Sequence, residues 1–254
     1  MRLKDKVAIV TGGGSGFGEG IVQKFVAEGA QVLIADRDLD NAQRVASAAG
    51  PAARALKIDV SLGADVRRMM DSAVQHFGRI DILINNAGVS HLPQPLEDVV
   101  EDDFDRITAV NMKAIYLAMR DVVPRFKANA AGANGIRGVV LNMASTAGVS
   151  PRPRLSWYNA SKGWVITATR ACAVELAPFG IRVVALNPVA GETPLLKTFM
   201  GEDTPQMRAK FLATIPLGRF SQPADLGNAA CFLCSDEASM ITGVCMEVDG
   251  GRCI

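Results

Sequence analysis

Residues 11–18 read Thr11-Gly12-Gly13-Gly14-Ser15-Gly16-Phe17-Gly18, between an apolar run at residues 7–10 and an amphipathic run at residues 18–28. Glycine allows backbone conformations with positive φ and lets main-chain N–H groups approach a ligand closely. The start of a helix supplies free N–H donors and a partial positive charge, which suit a pyrophosphate. A glycine-rich stretch between a strand and a helix therefore predicts a dinucleotide-binding turn, and a tight turn without a ligand is the alternative. The residues predicted to bind here are Gly12, Ser15, Gly16, Phe17 and Gly18.

The same alternation of short apolar runs and longer amphipathic runs continues along the chain. Runs rich in Val, Ile and Leu predict strands at residues 7–10, 31–35, 55–58, 82–85, 138–143, 182–187 and 244–248. Amphipathic runs predict helices at residues 18–28, 39–49, 63–77, 104–128, 156–177 and 223–234. Strands that alternate with helices are typical of βαβ units. The pattern thus predicts an α/β fold with a doubly wound, mainly parallel seven-stranded sheet and helices on both faces.

The domain organisation is expected to be simple, because no linker divides the sequence. We expect one domain over residues 1–254. Residues 191–219 form a long insertion that contains Pro194, Pro205 and Pro216. Long insertions in compact domains are often lids over a binding site, so we predict a substrate lid here, with a plain surface excursion as the alternative.

The composition excludes several classes of protein. Hydrophobic residues make up 49% of the 254 residues and charged residues 21%, the balance of a soluble globular protein. Lys and Arg number 27 against 26 Asp and Glu, so the basic excess of a nucleic-acid-binding protein is missing. No apolar run approaches the roughly 18 residues of a membrane span, and no secretory signal is visible. We therefore expect a cytoplasmic protein without nucleic-acid or membrane partners.

The cysteines support the same location. There are five, an odd number without the spacing of a disulfide framework, which is typical of reduced thiols. Cys231-x-x-Cys234 lies on a predicted helix without a second pair, and we interpret it as core packing. No metal site is predicted.

Asp36 indicates which dinucleotide binds, because it ends the second predicted strand. A carboxylate there accepts hydrogen bonds from both hydroxyls of the adenosine ribose, and it repels a 2′-phosphate. NAD is therefore expected to be the cofactor. Arg37 follows directly and could stack on adenine or meet a phosphate, which leaves NADP as the lesser alternative.

Tyr158 and Lys162 stand four residues apart at the start of a predicted helix and therefore share one face. An ammonium near a phenol favours the phenolate, so we expect Lys162 to lower the phenol pKa from its usual value of about 10. A tyrosine in this state exchanges a proton with an alcohol or ketone oxygen near neutral pH.

Other polar residues are expected beside this pair. Ser145 follows the strand at residues 138–143, and its hydroxyl can hold the same substrate oxygen. Asn111, inside the predicted helix at 104–128, either anchors a water behind the lysine or is a satisfied buried amide. His91 follows Gly88 at the same sheet edge and is a candidate for substrate contact.

Two arginines stand in the loop between Ser145 and Tyr158. Arg152 and Arg154 either attract an anionic substrate or are solvated loop charges, and the sequence favours neither interpretation.

In order and on the expected elements, these motifs make the chain resemble a short-chain dehydrogenase/reductase, from Lys6 to the C-terminus. The resemblance rests on Thr11-Gly12-x-x-x-Gly16-x-Gly18, Asp59-Val60, Asn85-Asn86-Ala87-Gly88, Asn111, Ser145, Tyr158-x-x-x-Lys162 and Asn187-Pro188. It implies a Rossmann-like fold, a nicotinamide cofactor and a Ser-Tyr-Lys-Asn tetrad. By this resemblance Tyr158 is the acid/base and Lys162 lowers its pKa and binds the nicotinamide ribose. Ser145 positions the substrate oxygen, and Asn111 supports a water-mediated proton relay.

The resemblance also implies cofactor contacts beyond the glycine turn. They involve Asp59 and Val60 at the adenine, Asn86, Ala87 and Gly88 along the cofactor, and Pro188 and Thr193 at the carboxamide or pyrophosphate. Val189 stands where the family commonly has glycine, which leaves the shape of the lid base open. The family's C-terminal tails lie at subunit interfaces, so the resemblance further implies a homotetramer.

These inferences predict an NAD-dependent oxidoreductase that moves hydride between a small secondary alcohol or ketone and a nicotinamide ring. An NADPH-dependent 3-oxoacyl-thioester (acyl carrier protein) reductase is the alternative among enzymes, and Asp36 argues against it. A nucleotide-sensing protein without catalysis is the alternative outside enzymes, and intact Ser145, Tyr158 and Lys162 argue against that. Sugars, hydroxy acids, cyclic alcohols, steroids and acyl groups are all compatible substrates.

Overall fold

Seven strands and nine α-helices are present in the computed structural model, which describes residues 1–254. The strands are β1 (Val7–Thr11), β2 (Gln31–Asp36), β3 (Ala53–Lys57), β4 (Ile82–Asn85), β5 (Gly138–Met143), β6 (Ile181–Pro188) and β7 (Cys245–Val248). The helices are α1 (Gly16–Ala27), α2 (Leu39–Ala49), α3 (Gly63–Phe77), α4 (Glu101–Ile107), α5 (Ala114–Ala128), α6 (Ser156–Leu176), α7 (Leu195–Met200), α8 (Pro205–Leu212) and α9 (Pro223–Cys234). None of these helices combines the length and the apolar character that crossing a bilayer requires.

The strands form one sheet in the order β3-β2-β1-β4-β5-β6-β7, and all neighbours pair in parallel. Every residue of β1, β4, β5 and β6 is buried, which explains why these strands are continuous apolar runs. The predicted doubly wound, Rossmann-like α/β fold is confirmed. The strand order reverses at β1, which lies between β2 and β4, and ligands of open α/β sheets bind beyond the carboxyl ends of the strands at this point.

Two apolar cores cover the two faces of the sheet. One core joins α3, α5 and α6 to the sheet, and the other joins α1, α2 and α9 to it. Cys231 and Cys234 are buried in the second core, so the interpretation of this pair as core packing is confirmed.

The predicted helix at residues 104–128 is helical throughout, but it is not a single α-helix. The structure has α4, then a π-helical segment from Thr108 to Lys113, and then α5. Asn111 is the buried residue of that segment. Single π turns inside helices are frequent at functional sites because they redirect one side chain.

The insertion at residues 191–219 folds as a small unit that we call the lid segment. A β-bridge between Gly191 and Ser221 closes its base. Its own apolar core contains Val189, Leu196, Met200, Ile215 and Phe220. Val189, the residue that stands in place of the family's glycine, therefore anchors the lid segment to the end of β6.

Helices α1 and α9 pack backbone to backbone, and this contact orients the start of α1. A Cβ added to Gly20 would lie 2.3 Å from the carbonyl oxygen of Pro223, and one added to Gly227 would lie 2.6 Å from the carbonyl oxygen of Gly20. Real Cβ atoms do not approach that closely, so a side chain at either position pushes the helices apart.

We predict that Gly20→Ala lowers the free energy of unfolding by about 2 kcal/mol, because overpacking outweighs the better helix propensity of alanine. Gly63→Ala is the matched control, since its Cβ would meet only Leu117 Cδ2 at an ordinary 3.5 Å. Urea denaturation measures both variants. Equal stability of G20A and G63A would contradict the packing argument.

Candidate functional site

The glycine turn between β1 and α1 has the shape expected of a phosphate-binding site. Gly12 and Gly16 adopt positive φ values of 63° and 55°. A Cβ on Gly18 would lie 2.1 Å from the carbonyl oxygen of Gly12, so only glycine fits there. Ser15 is the N-cap of α1, but its side chain does not cap the helix. The first N–H groups of α1 are thus left for a ligand, and the turn fits the pyrophosphate of a dinucleotide.

The loop after β4 is locked to this turn by polar groups. Thr11 Oγ1 accepts hydrogen bonds from the N–H groups of Asn86 at 3.0 Å and Ala87 at 3.1 Å. Asn86 Nδ2 donates to the carbonyl oxygens of Thr11 at 2.8 Å and Gly12 at 3.0 Å. The carboxyl ends of β1 and β4 therefore form one rigid floor.

Asp36 lies beside the glycine turn at the end of β2. Its Oδ2 accepts the N–H of Gly14 at 2.9 Å, and its Oδ1 accepts the N–H of Asp38 at 3.0 Å. A carboxylate oxygen has more than one lone pair, so both oxygens can still accept ribose hydroxyls. Arg37 next to it is exposed.

The other predicted adenine contacts lie just past the end of the neighbouring strand β3. Asp59 is exposed, and its Oδ1 accepts hydrogen bonds from the N–H and Oγ of Ser61. Val60 packs partly against the core.

Ser145, Tyr158 and Lys162 are brought together at the carboxyl end of β5, and all three are buried. Lys162 Nζ donates a 2.8 Å hydrogen bond to the carbonyl oxygen of Met143, the last residue of β5, and lies 5.8 Å from the centre of the Tyr158 ring. Ser145 Oγ accepts the N–H of Ala147 at 3.1 Å, and the Ser145 side chain is also a hydrogen-bond partner of the Tyr158 phenol.

Burial dominates the titration of this pair. It raises the pKa of Tyr158 to about 12, against the opposing effect of the Ser145 side chain. It also lowers the pKa of Lys162 to about 8. The expectation that Lys162 holds the phenol pKa below its usual value is wrong for the protein by itself. The physical reason is that both groups leave water, and that the ammonium is directed to the Met143 carbonyl.

Asn111 proves to be a satisfied buried amide. Its Nδ2 donates to the carbonyl oxygen of Val89 and to Ser161 Oγ, each at 3.0 Å, and its Oδ1 accepts the N–H of Val89 at 2.9 Å. A Cβ on Gly88 would lie 3.5 Å from Asn111 Oδ1 and 3.6 Å from Lys162 Nζ, so these three residues meet. The predicted water relay stays a prediction.

His91 is buried, with 1% of its surface exposed. Its Nδ1 lies 2.7 Å from the carbonyl oxygen of Leu92, and its Nε2 is buried without a partner. Because a carbonyl oxygen only accepts, Nδ1 carries a proton, and Nε2 is left without a partner. The N–H of Gln94 donates to the carbonyl oxygen of Arg154, which places this segment beside the loop that leads to Tyr158.

The lid segment covers the tyrosine. The Phe199 ring of α7 lies 5.0 Å from the Tyr158 ring at an interplanar angle of 57°, and Ala147 and Leu155 complete this apolar cluster. Phe199 was not predicted from the sequence, because one aromatic residue in a proline-rich insertion carries no periodic signal.

The remaining predicted cofactor residues lie where the lid segment begins. Thr193 lies over the glycine turn, since a Cβ on Gly16 would be 3.1 Å from Thr193 Cβ. Pro188 is buried at the end of β6. The Phe17 ring packs against Gly191, so that side chain supports the lid base instead of facing the turn.

Buried Lys162 should reduce stability near neutral pH. Its folded-state pKa of about 8 is below the unfolded value of 10.5, so the unfolded chain binds more protons between these pH values and the native protein gains stability as pH rises through them. We predict that Lys162→Met is more stable than wild type by about 2 kcal/mol at pH 6.5, and that the gap closes by pH 10.5. Lys210→Met, at an exposed lysine of α8, is the control. Urea denaturation across this pH range would refute the assignment if the gap were constant.

Comparison with known proteins agrees with this geometry. A family model described as enoyl-(acyl carrier protein) reductase matches residues 12–252. The chain is 46% identical over 256 residues to 4-formylbenzenesulfonate dehydrogenase of Comamonas testosteroni, and 36% identical over 259 residues to galactitol 2-dehydrogenase of Agrobacterium fabrum, each match covering 99% of both chains.

Solved structures are similar over the same length. A 3-ketoacyl-(acyl-carrier-protein) reductase from Brucella melitensis complexed with NADH is 54% identical with a TM-score of 0.94, covering 99% of this chain and 100% of that one. An NAD+-bound xylitol dehydrogenase is 28% identical with a TM-score of 0.89 and the same coverage. Together with the glycine turn and the Ser145, Tyr158 and Lys162 cluster, these matches show that the chain is an oxidoreductase of the short-chain dehydrogenase/reductase family.

Proposed function

We propose that the protein is an NAD-dependent enzyme that transfers hydride between a secondary alcohol or its ketone and a nicotinamide ring. The observation that carries the proposal is the meeting of Ser145, Tyr158 and Lys162 at the carboxyl end of β5. Several relatives are named as alcohol dehydrogenases, including those for galactitol, cyclopentanol and meso-2,3-butanediol. A bound nicotinamide ring supplies or accepts the hydride.

The side chains of this chain handle the proton. The Ser145 hydroxyl donates a hydrogen bond to the substrate oxygen, and this bond polarises a carbonyl. Tyr158, protonated near neutral pH because burial raises its pKa to about 12, donates to a ketone oxygen as the alcohol forms. In the opposite direction it must ionise, and the positive charge of Lys162 favours that. We also assign His91 Nε2 as an acceptor for a substrate hydroxyl, and Asn111 as the support of the proton relay.

Tyr158→Phe tests the proposal. We expect turnover to fall by about a thousandfold or more, because the proton-transfer group is lost, while NADH affinity stays within about twofold. Tyr116→Phe is the matched control, since Tyr116 is the other tyrosine and is exposed. The measurements are NADH absorbance during turnover with a panel of secondary alcohols, and NADH fluorescence on binding. Turnover by Y158F above about a tenth of wild type would remove Tyr158 from the mechanism.

The preference for NAD rests on the carboxylate of Asp36, which lies at 2.9 Å from the Gly14 N–H beside the turn. The names of the two similar structures, which mention NADH and NAD+, support it.

We predict that Asp36→Asn raises the ratio of kcat/KM for NADP to that for NAD by about tenfold or more, because the repulsion of a 2′-phosphate is removed. Asp40→Asn, at an exposed carboxylate of α2, is expected to leave the ratio unchanged. Wild-type preference for NADPH, or an unchanged ratio in D36N, would overturn this interpretation.

Reduction of a 3-oxoacyl thioester is the second candidate function. It is favoured by the name of the 54% identical structure, a 3-ketoacyl-(acyl-carrier-protein) reductase. Oxidation of NADH by acetoacetyl-coenzyme A, compared with the alcohol panel, separates the two candidates.

We also propose that the protein is a homotetramer in the cytoplasm. Large apolar or aromatic side chains remain exposed on α4, α5 and α6, and a soluble chain commonly covers such surfaces with a second copy. They are Phe104, Tyr116, Trp157, Trp164 and Val174. All five cysteines are free, which suits a reducing compartment.

A further inference from the structure

Arg152 packs on one stretch of the lid segment, and the C-terminal turn that contains Arg252 packs beside the same stretch. The Arg152 guanidinium carbon lies 4.3 Å from the centre of the Phe211 ring, and its Nη2 lies 3.5 Å from Thr214 Oγ1. The C-terminal turn packs on the following residues, since the N–H of Leu217 donates to the carbonyl oxygen of Gly250 at 3.1 Å. Arg252 follows in that turn and is partly buried.

Neither guanidinium has a carboxylate partner. The ion pairs of the chain, taken to 4.0 Å, include neither Arg152 nor Arg252. Arg252 Nε is buried without a hydrogen-bond partner, and its Nη1 reaches only Cys253 Sγ at 3.8 Å. Asp249 nearby uses its two oxygens on the N–H groups of Gly251 and Cys253.

The two cations are also close enough to affect each other. Burial, and then the charge of Arg252, lower the pKa of Arg152 to about 10. Two positive charges in one partly buried region are unfavourable when no carboxylate is paired with them. An oxyanion bound between them removes this penalty. Arginine suits this role because its planar fork binds carboxylate or sulfonate oxygens in pairs.

Arg152 is connected to the catalytic cluster in two ways, through α6 and through the lid segment. The carbonyl oxygen of Arg152 accepts a 2.7 Å hydrogen bond from Asn159 Nδ2, next to Tyr158 in α6. The lid segment covers Tyr158 with Phe199 of α7 and underlies Arg152 with Phe211 of α8. The lid segment and the start of α6 therefore each contact both Tyr158 and Arg152 or their immediate neighbours.

We propose that Arg152 and Arg252 bind a carboxylate or sulfonate group of the substrate whose alcohol carbon lies at Tyr158. The inference rests on the proposed function and narrows its substrate to an anionic secondary alcohol or ketone. The exposed Arg154 of the same loop is not part of this site.

Binding is tested first, without turnover, using benzenesulfonate as the probe. Its Kd is measured by calorimetry on the full chain, for wild type and for Arg152→Gln, Arg252→Gln and the control Arg154→Gln. We expect the Kd to rise about tenfold or more in R152Q and R252Q and to stay within twofold in R154Q. Equal Kd values in all four proteins, or no binding to wild type, overturn the proposal.

Kinetics with a matched pair of alcohols locate the anion relative to the reaction. We compare 4-(1-hydroxyethyl)benzoate with 1-phenylethanol, which lacks only the carboxylate. The ratio of kcat/KM for the charged to the neutral alcohol is expected to fall about tenfold or more in R152Q and R252Q, through KM, and to stay unchanged in R154Q. An unchanged ratio in all variants overturns the assignment to substrate.

The two proposals fail in different ways. If wild type binds benzenesulfonate through the arginines but oxidises neither alcohol, the anion site stands and the proposed function fails. If benzenesulfonate does not bind and R252Q lowers the mass of the assembly in light scattering, the pair holds a carboxylate of a second copy, and the substrate assignment is overturned.

Discussion

Lys162 is held in the protein interior by a 2.8 Å hydrogen bond from Nζ to the Met143 carbonyl, and the geometry of the candidate site depends on this contact. The bond joins α6 to the end of β5, so it places Tyr158 and Ser145 on the same side of the sheet. A buried ammonium is unfavourable, and its pKa of about 8 shows the size of that effect. The surrounding sheet, which is buried along β4, β5 and β6, supplies the stability that retains it. A rigid scaffold thus retains a polar group whose burial is itself unfavourable for stability.

The sheet and most helices follow from periodicity, because strands buried on both faces must be apolar throughout. Periodicity does not predict the π-helical segment at residues 108–113 within the helical region. Asn111 turns inward there through the π-helical segment, where it bonds to Val89 and Ser161, which lie 22 and 50 residues away in the chain. Contacts at that separation leave no trace in local spacing. The glycine turn could be predicted because its requirement for small residues is local, and Gly18 meets Gly12 within the turn itself.

The pKa of Tyr158 shows a second limit of prediction from sequence. Spacing of four residues correctly predicts that Tyr158 and Lys162 share a face, but it contains no information on how much water either loses. Both prove to be buried, and desolvation then raises the phenol pKa against the smaller opposing effect of the Ser145 hydrogen bond. Part of that burial comes from Phe199 of the lid segment, which packs on the Tyr158 ring and lies 41 residues away in the chain.

These contacts give the sheet scaffold and the lid segment different roles. Ser145, Lys162 and the glycine turn are fixed by the ends of β1 and β5 and the first turns of α1 and α6, which leave little room for variation. The lid segment instead has its own apolar core, and its contacts with the scaffold include the Phe199, Thr193 and Phe211 side chains, the bridge at Gly191 and the hydrogen bond from Leu217 to Gly250. Such a unit can change its contacts without disturbing the proton-transfer groups. Because Phe211 and Thr214 meet Arg152 while Phe199 meets Tyr158, the lid segment contacts both the candidate catalytic tyrosine and one arginine of the proposed anion site. Under the proposed anion site, substrate choice depends on where α8 holds Arg152, a property of tertiary packing and not of the catalytic motif.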